Sequence, residues 1–169
     1  MWRRGDYLIS TDPSRLDLDA IHAYLSEEAY WSPGVAREVV ERSIEHSLNF
    51  GLYRGEEQAG FARVATDYAT FAWLADVFVL REHRGAGLGK WLVQTALSHP
   101  ELRGLRRWML GTGDAHELYA QFGFRPAAGD PRFMVYEASP NRRSRTDGQR
   151  SALRPTARAE PSSAQTGQK

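Results

Sequence analysis

Three glycines within seven residues, Arg84-Gly85-Ala86-Gly87-Leu88-Gly89-Lys90, make the segment of this chain best suited to hold an anion. Upstream, Leu74 to Leu80 is short, apolar and rich in Val and Phe, as a buried strand would be; downstream, Leu88, Trp91, Leu92 and Thr95 recur at helical spacing. The glycines are therefore expected at a helix N-terminus, where the first N–H groups lack acceptors inside the helix and the macrodipole is positive. Glycine lets a backbone approach phosphate closely and take unusual dihedrals, and Arg84 and Lys90 can add charge. A mononucleotide P-loop would need glycine where Arg84 stands and Ser or Thr where Trp91 stands. A dinucleotide fingerprint starting at Gly85 would need Gly or Ala in place of Lys90, and an acidic residue opening a later strand. Neither fits.

What remains is Arg-x-x-Gly-x-Gly, satisfied by Arg84, Gly87 and Gly89. Here the sequence resembles the pyrophosphate-binding motif of the GNAT superfamily of acyl-CoA-dependent N-acyltransferases. Asp76-Val77-Phe78-Val79 is similar to that family's central strand, and Leu118-Tyr119-Ala120-Gln121-Phe122-Gly123-Phe124 to its later helix-to-strand motif, in the correct order and about thirty residues apart. The longer string from Asp114 to Phe124 resembles a bacterial subgroup of the superfamily, and the resemblance covers roughly residues 5–138. It implies acetyl-CoA as co-substrate and no metal. Its pyrophosphate would lie on the N–H groups of Arg84, Gly85, Ala86, Gly87, Leu88, Gly89 and Lys90. Its pantetheine would pair with the backbone of Val77, Phe78 and Val79, where the central strands of such proteins splay apart, and an N–H near Val79 would face the thioester carbonyl. Two departures stand out: Arg81 replaces a proline common after the central strand, and that strand lacks the glutamate of protein-lysine acetyltransferases.

Moving an acyl group from a thioester to an amine needs a held cofactor, a neutral nucleophile, a stabilised oxyanion and a protonated thiolate. Tyr119 matches the family's motif tyrosine, and its unperturbed pKa near 10, above a thiol's near 8.5, leaves it protonated and able to donate at neutral pH. It would equally serve as a half-buried packing tyrosine on an amphipathic helix. Asp76 is a candidate base: strand alternation puts it on the side of Leu74 and Phe78, and apolar neighbours including Trp73 would raise its pKa. It could instead bond to nearby backbone. Asp114 is expected to cap the helix that carries Tyr119. His116, three residues before Tyr119, shares its face and could touch cofactor or substrate, or be a surface histidine. Acids beside aromatics in Glu27-Glu28-Ala29-Tyr30-Trp31 suit a cationic, partly apolar amine, with Trp73 across the site. They would equally suit a helix packed on the sheet.

The elements that must position these groups follow from periodicity. Tyr7–Ile9 reads as a first strand, and Asp17 caps a helix to about Ala29. Ser32-Pro33 starts a second helix, to about Ser47. Phe50–Arg54, Gln58–Thr66 and Phe71–Leu80 form a meander with a turn at Gly55-Glu56-Glu57. Helix 88–98, strand 106–110, helix 114–122 and strands near Phe124 and 133–137 complete the chain. The resemblance implies an α/β (α+β) fold in the order β-α-α-β-β-β-α-β-α-β-β, a mixed, mostly antiparallel twisted central sheet with about four flanking helices.

Length fits one domain, assigned to 1–138, and no cysteine is present for a disulfide, thiol catalysis or a cysteine-based zinc site. Residues 139–169 carry seven bases against two acids and one sizeable apolar residue, Leu153, and read as a disordered basic tail. This leaves 15 bases against 19 acids in 1–138, a mildly acidic body. The dispersed arginines lack interleaved aromatics, so nucleic acid is not the expected partner. No apolar run is long enough for a membrane span, and a cytoplasmic protein is expected; a homodimer is compatible with this reading. The expected activity is transfer of an acetyl group from acetyl-CoA to a small primary amine by direct attack. The rivals are a protein N-terminal or lysine acetyltransferase, and a non-catalytic acyl-CoA sensor.

Overall fold

Gly5, at φ +57°, turns a short hairpin of β1 (Trp2–Arg4) and β2 (Tyr7–Ser10). Then come α1 (Leu18–Ala23), α2 (Arg37–Glu45), the meander β3 (Leu48–Arg54), β4 (Glu57–Thr66) and β5 (Phe71–Val79), and α3 (Leu88–Leu97). The chain closes with β6 (Arg107–Gly111), α4 (His116–Ala120), β7 (Arg125–Ala127) and β8 (Asp130–Glu137). This is a computed structural model, and it describes residues 1–127 and 129–137. The tail expected at 139–169 lies outside the described residues. Among them, no helix is long and apolar enough to cross a membrane.

The strands form one sheet in the order β1-β2-β3-β4-β5-β6-β8-β7, antiparallel throughout except between β5 and β6. The mixed, mostly antiparallel sheet and the element order agree with the sequence reading, with β1 added. Two apolar clusters cover its faces. One joins Leu88, Leu92, Val93 and Ala96 of α3 to Phe50, Leu52, Val64 and Leu74; the other joins Ile21, Leu25 and Val40 to Phe61 and Phe78.

Of the first two helices, one starts as expected but ends differently, and the other starts elsewhere. Asp17 caps α1, its carboxylate accepting from Ala20 N–H at 3.0 Å. The expected single helix to Ala29 instead changes to a π turn over Tyr24–Glu28, closed by Ala29 N–H donating to Tyr24 C=O. Ser32 does not cap the second helix. Its hydroxyl donates to Leu25 C=O at 2.8 Å, Gly34 follows at φ +70°, and α2 begins only at Arg37.

The pairing of β4 with β5 carries the irregularity that matters for the site. Phe61 pairs with Phe78 and Arg63 with Ala75, so Asp76 and Val77 together oppose Ala62. Asp76 stands at φ +51°, a left-handed conformation in which this bulge type usually holds glycine. The bulge corrects the expected alternation: Leu74 packs on the α3 side and Phe78 on the α1/α2 side. Gly60, opposite Val79, makes the close approach possible, because a Cβ there would lie 2.6 Å from Phe78 O and 3.2 Å from Val79 Cα. These two obstacles are backbone, and the Leu52 side chain lies as close, at 3.2 Å. Gly60→Ala should therefore destabilise the fold by about 1–3 kcal/mol, read as a lowered denaturant midpoint; an unchanged midpoint would show that β4 and β5 separate freely here.

Candidate active site

The segment from Arg84 to Gly87 is exposed and enters α3 at Leu88. Gly85 and Gly87 have φ +85° and +70°, and Gly87 is the α3 N-cap. Among the described residues, no N–H from Gly85 to Lys90 is donated to an acceptor within the protein; the first helical bond runs from Trp91 N–H to Gly87 C=O. Six consecutive donors thus remain at the positive end of a ten-residue helix. Nor is the loop filled by side chains. A Cβ on Gly85 would meet nothing within 4 Å, and one on Gly87 would meet only the Arg4 guanidinium, at 3.7 Å. Arg4, reaching over from β1, has Nη1 3.5 Å from Gly87 O. Sequence reading did not place this cation at the loop, because a three-residue strand has no usable periodicity.

Below the loop, β5 and β6 part. Their parallel pairing ends at Leu74 with Leu110, while β5 runs on to Val79. The edge of β5 beyond Leu74 therefore has no strand beside it on that side among the described residues. Leu80 N–H donates across to Ala59 C=O, so strand alternation turns the Val79 N–H the other way, into the gap. Arg84 closes the end of this edge. Its Nε donates to Val79 O at 2.8 Å and its Nη2 to the Tyr24 hydroxyl at 3.2 Å, so these donors brace the strand instead of turning to the glycines. Tyr24, presented by the π turn, stacks on Phe78 with ring centroids 3.9 Å apart. Burial pushes its phenol up, partly offset by Arg84. Lys90 is exposed on the first turn of α3.

The gap opens into a cleft of about 600 Å³, walled by residues 73–77 of β5, residues 111–115 after β6, and the Tyr30-Trp31 corner. That volume suits a small molecule. Tyr30 is fixed at both atoms of its hydroxyl, accepting from Gly113 N–H (2.7 Å) and donating to Asp114 Oδ1 (3.2 Å). Trp31 packs edge-on to Tyr30 and donates to Asp76 Oδ1 at 3.3 Å. The other Asp76 oxygen accepts from Arg63 Nε at 2.7 Å, a largely buried ion pair. Asp76 therefore faces a guanidinium instead of standing alone among apolar groups. Trp73 and Phe133 form the facing aromatic pair, with centroids 5.9 Å apart.

Tyr119 lines the same cleft at 7% exposure, with no hydrogen bond to its hydroxyl among the described residues. Burial, then Tyr30 and Asp114, push its pKa up to about 12. The phenol thus stays protonated at any ordinary pH, and it favours giving a hydrogen bond over full ionisation. Asp114 does not cap the helix: the cap position is Ala115, whose N–H donates to Thr112 Oγ1, and Asp114 serves Tyr30. His116 is not brought into the cleft. Its Nε2 donates to Pro131 C=O at 2.9 Å, fastening α4 to the start of β8. The structure thus gathers Tyr119, Asp76, Tyr30, Trp31 and Trp73, and adds Arg63. A charged residue on the same face of its strand as buried Phe61 was the available signal for Arg63.

The sequence model of the acetyltransferase (GNAT) family matches residues 18–124. A candidate acetyltransferase of Gibberella zeae is 38% identical over 71% of this chain and 79% of its own length. Among solved structures, a candidate GNAT-family acetyltransferase of Xanthomonas campestris is 50% identical, with TM-score 0.70 over 72% of this chain and 86% of that one. A GNAT-family acetyltransferase of Elizabethkingia anophelis, solved with acetyl-CoA bound, shares the fold at 13% identity and TM-score 0.59, over 80% of this chain and 100% of that one.

The bulge can be tested at its strained residue. Asp76→Asn and Asp76→Ile both leave Arg63 without its carboxylate, but only Asn tolerates a left-handed φ. The Ile variant should be less stable by about 1–2 kcal/mol in chemical denaturation, and equal stabilities would mean that the strand straightens.

Proposed function

Because the chain belongs to the GNAT family of acetyltransferases, we propose that it transfers an acetyl group from acetyl-CoA to a primary amine of a small, partly apolar molecule. The observation that carries this is the row of six amide donors from Gly85 to Lys90 left unclaimed among the described residues, beside a strand edge without a neighbouring strand and a cleft lined by the buried Tyr119 phenol. The residues present fit the cofactor: the open glycine turn admits a pyrophosphate, Arg4 adds a cation, and the β5 edge offers backbone groups to an amide-bearing arm. When bound, acetyl-CoA supplies the activated acyl thioester.

The chain's own groups then have distinct parts. The Val79 N–H, aimed into the gap, would be the donor for an acyl oxygen held beside it. Tyr119 Oη holds a proton where the departing sulfur would lie. With the phenol near 12 and a thiol near 8.5, outright transfer is uphill by roughly 3–4 pK units. A hydrogen bond to the sulfur, tightening as it gains charge, is therefore its main contribution. Asp76 has both oxygens engaged by Arg63 and Trp31, so its proposed part is to receive the acceptor's ammonium end in place of Trp31; the amine would lose one proton to solvent before attack and a second as the C–N bond forms, and the thiolate, hydrogen-bonded to Tyr119, would take its proton from solvent. Tyr30, Trp31 and Phe133, each at least 40% exposed, receive the apolar body of the acceptor.

Thiol release from acetyl-CoA across a panel of small amines tests the reading; acetyl-CoA binding with turnover on none of them, nor on peptide amines, would leave only a sensor. Tyr119→Phe should lower kcat about a hundredfold while changing acetyl-CoA affinity little, and equal effects on both would mark a packing residue. Because the phenol is held near 12, kcat/KM should climb through the acceptor's own ionisation and show no alkaline limb from Tyr119 below about pH 11. A limb that vanished in Tyr119→Phe would contradict this. Gly87→Val, at a φ of +70°, should abolish measurable acetyl-CoA binding by calorimetry. Arg4→Ala should weaken it up to about fivefold, ~1 kcal/mol, and less at high salt.

A further inference from the structure

A second cluster of titratable groups lies outside the cleft, at the foot of the glycine loop. One carboxylate oxygen each from Glu57 and Glu82 and a ring nitrogen of His83 lie within 4.8 Å of one another. Glu57 opens β4 just after the Gly55-Glu56 turn, and Glu82 and His83 belong to the single 3-10 turn Arg81–His83 that joins β5 to the loop. Among the described residues, neither glutamate is ion-paired to Lys or Arg. Two carboxylates held this close repel unless a cation sits between them.

The independent observation is His83. It is 5% exposed, its Nδ1 lies 3.2 Å from the Tyr7 hydroxyl, and its Nε2 is buried without a partner among the described residues. A buried polar atom left unsatisfied is costly and rare. With the Tyr7 hydroxyl accepting from Nδ1–H, the tautomer that metal binding requires, the Nε2 lone pair is free for a cation.

We propose that Glu57, Glu82 and His83 form a binding site for a divalent first-row transition cation of the Zn²⁺ type, with His83 Nε2 as the nitrogen ligand. One imidazole and two carboxylates suit Zn²⁺ or Mn²⁺ better than the all-oxygen preference of Mg²⁺ or Ca²⁺. In a tetrahedral site with bonds near 2.1 Å, ligand atoms stand about 3.4 Å apart. The exposed glutamates can close that gap by rotation while the imidazole stays in place, and the fourth position is left to water. The cation would tie the β3–β4 turn to the segment that launches the loop, so it fixes the loop and takes no part at the acyl group.

The test uses the full chain stripped of metal and titrated with ZnCl2 by calorimetry, with Co²⁺ absorption as a second readout. One Zn²⁺ per chain should bind and raise the Tm. The Glu57→Gln/Glu82→Gln variant, altered only at exposed side chains, should bind at least about tenfold more weakly and lose the Tm rise. His83→Asn should remove the imidazole contribution to the Co²⁺ spectrum. No binding to the parent chain would overturn the proposal. So would binding that survives the double substitution, which would assign the metal to other histidines.

Discussion

Hydrogen bonding between β5 and β6 stops at Leu74 and Leu110, and the rest of the site depends on that interruption. A parallel pair that continued to Val79 would consume the backbone groups of residues 75–79 and leave no cleft between the strands. The structure stops it by two means. β6 ends at Gly111 and turns back through Thr112, whose hydroxyl accepts the Ala115 N–H. β5 bulges at Asp76 and Val77, which rotates its last residues relative to its first. Residues before the bulge belong to the α3-side core, whereas Phe78 beyond it reaches the α1/α2 core and stacks on Tyr24.

This arrangement carries local strain, and the surrounding residues hold it in place. Asp76 occupies a backbone region that non-glycine residues avoid. It stays there because its side chain is clamped by Arg63 from β4 and Trp31 from the π-turned corner, while Gly60 removes the Cβ that would push the strands apart. Aspartate is among the few residues that accept this φ, and it also supplies the charge that binds the clamp. One residue therefore serves the bulge and the cleft together, which is why its chemistry cannot be read apart from its backbone.

What was legible in the sequence was whatever local composition controls. Three glycines between an apolar run and a helical run located the turn that enters α3, and alternation around Gly55-Glu56 located the meander. Tyr119 was placed on the right helix. The bulge was invisible because alternation arguments assume an unbroken pleat, and this failure put Asp76 on the wrong side of its strand relative to Leu74. The π turn was invisible because Ile21, Tyr24 and Leu25 satisfy an ordinary helical stripe. Ser32 and Asp114 looked like caps, but both spend their oxygens on tertiary partners, Leu25 and Tyr30. Such residues favour caps only when nothing better is in reach, and tertiary contacts decide that.

The two walls of the cleft are joined across its mouth by hydrogen bonds made through the polar tips of aromatic rings. Tyr30 is pinned to Gly113 and Asp114 on the β6 side, and its neighbour Trp31 to Asp76 on the β5 side. The two rings meet edge-on at 5.0 Å, so the Tyr30-Trp31 corner bridges the gap that the strands leave. All of these tips are exposed enough for water to compete, and the Trp31 bond is long at 3.3 Å. The bridge is therefore the weakest connection around the cleft, while the Arg63–Asp76 pair at its base is short and better shielded. An acceptor entering by the mouth has to displace only the Trp31 contact. If the acceptor is the amine we propose, its ammonium end would take up the Asp76 oxygen that the indole releases, and opening of the mouth and recognition of the amine would be one exchange of hydrogen bonds.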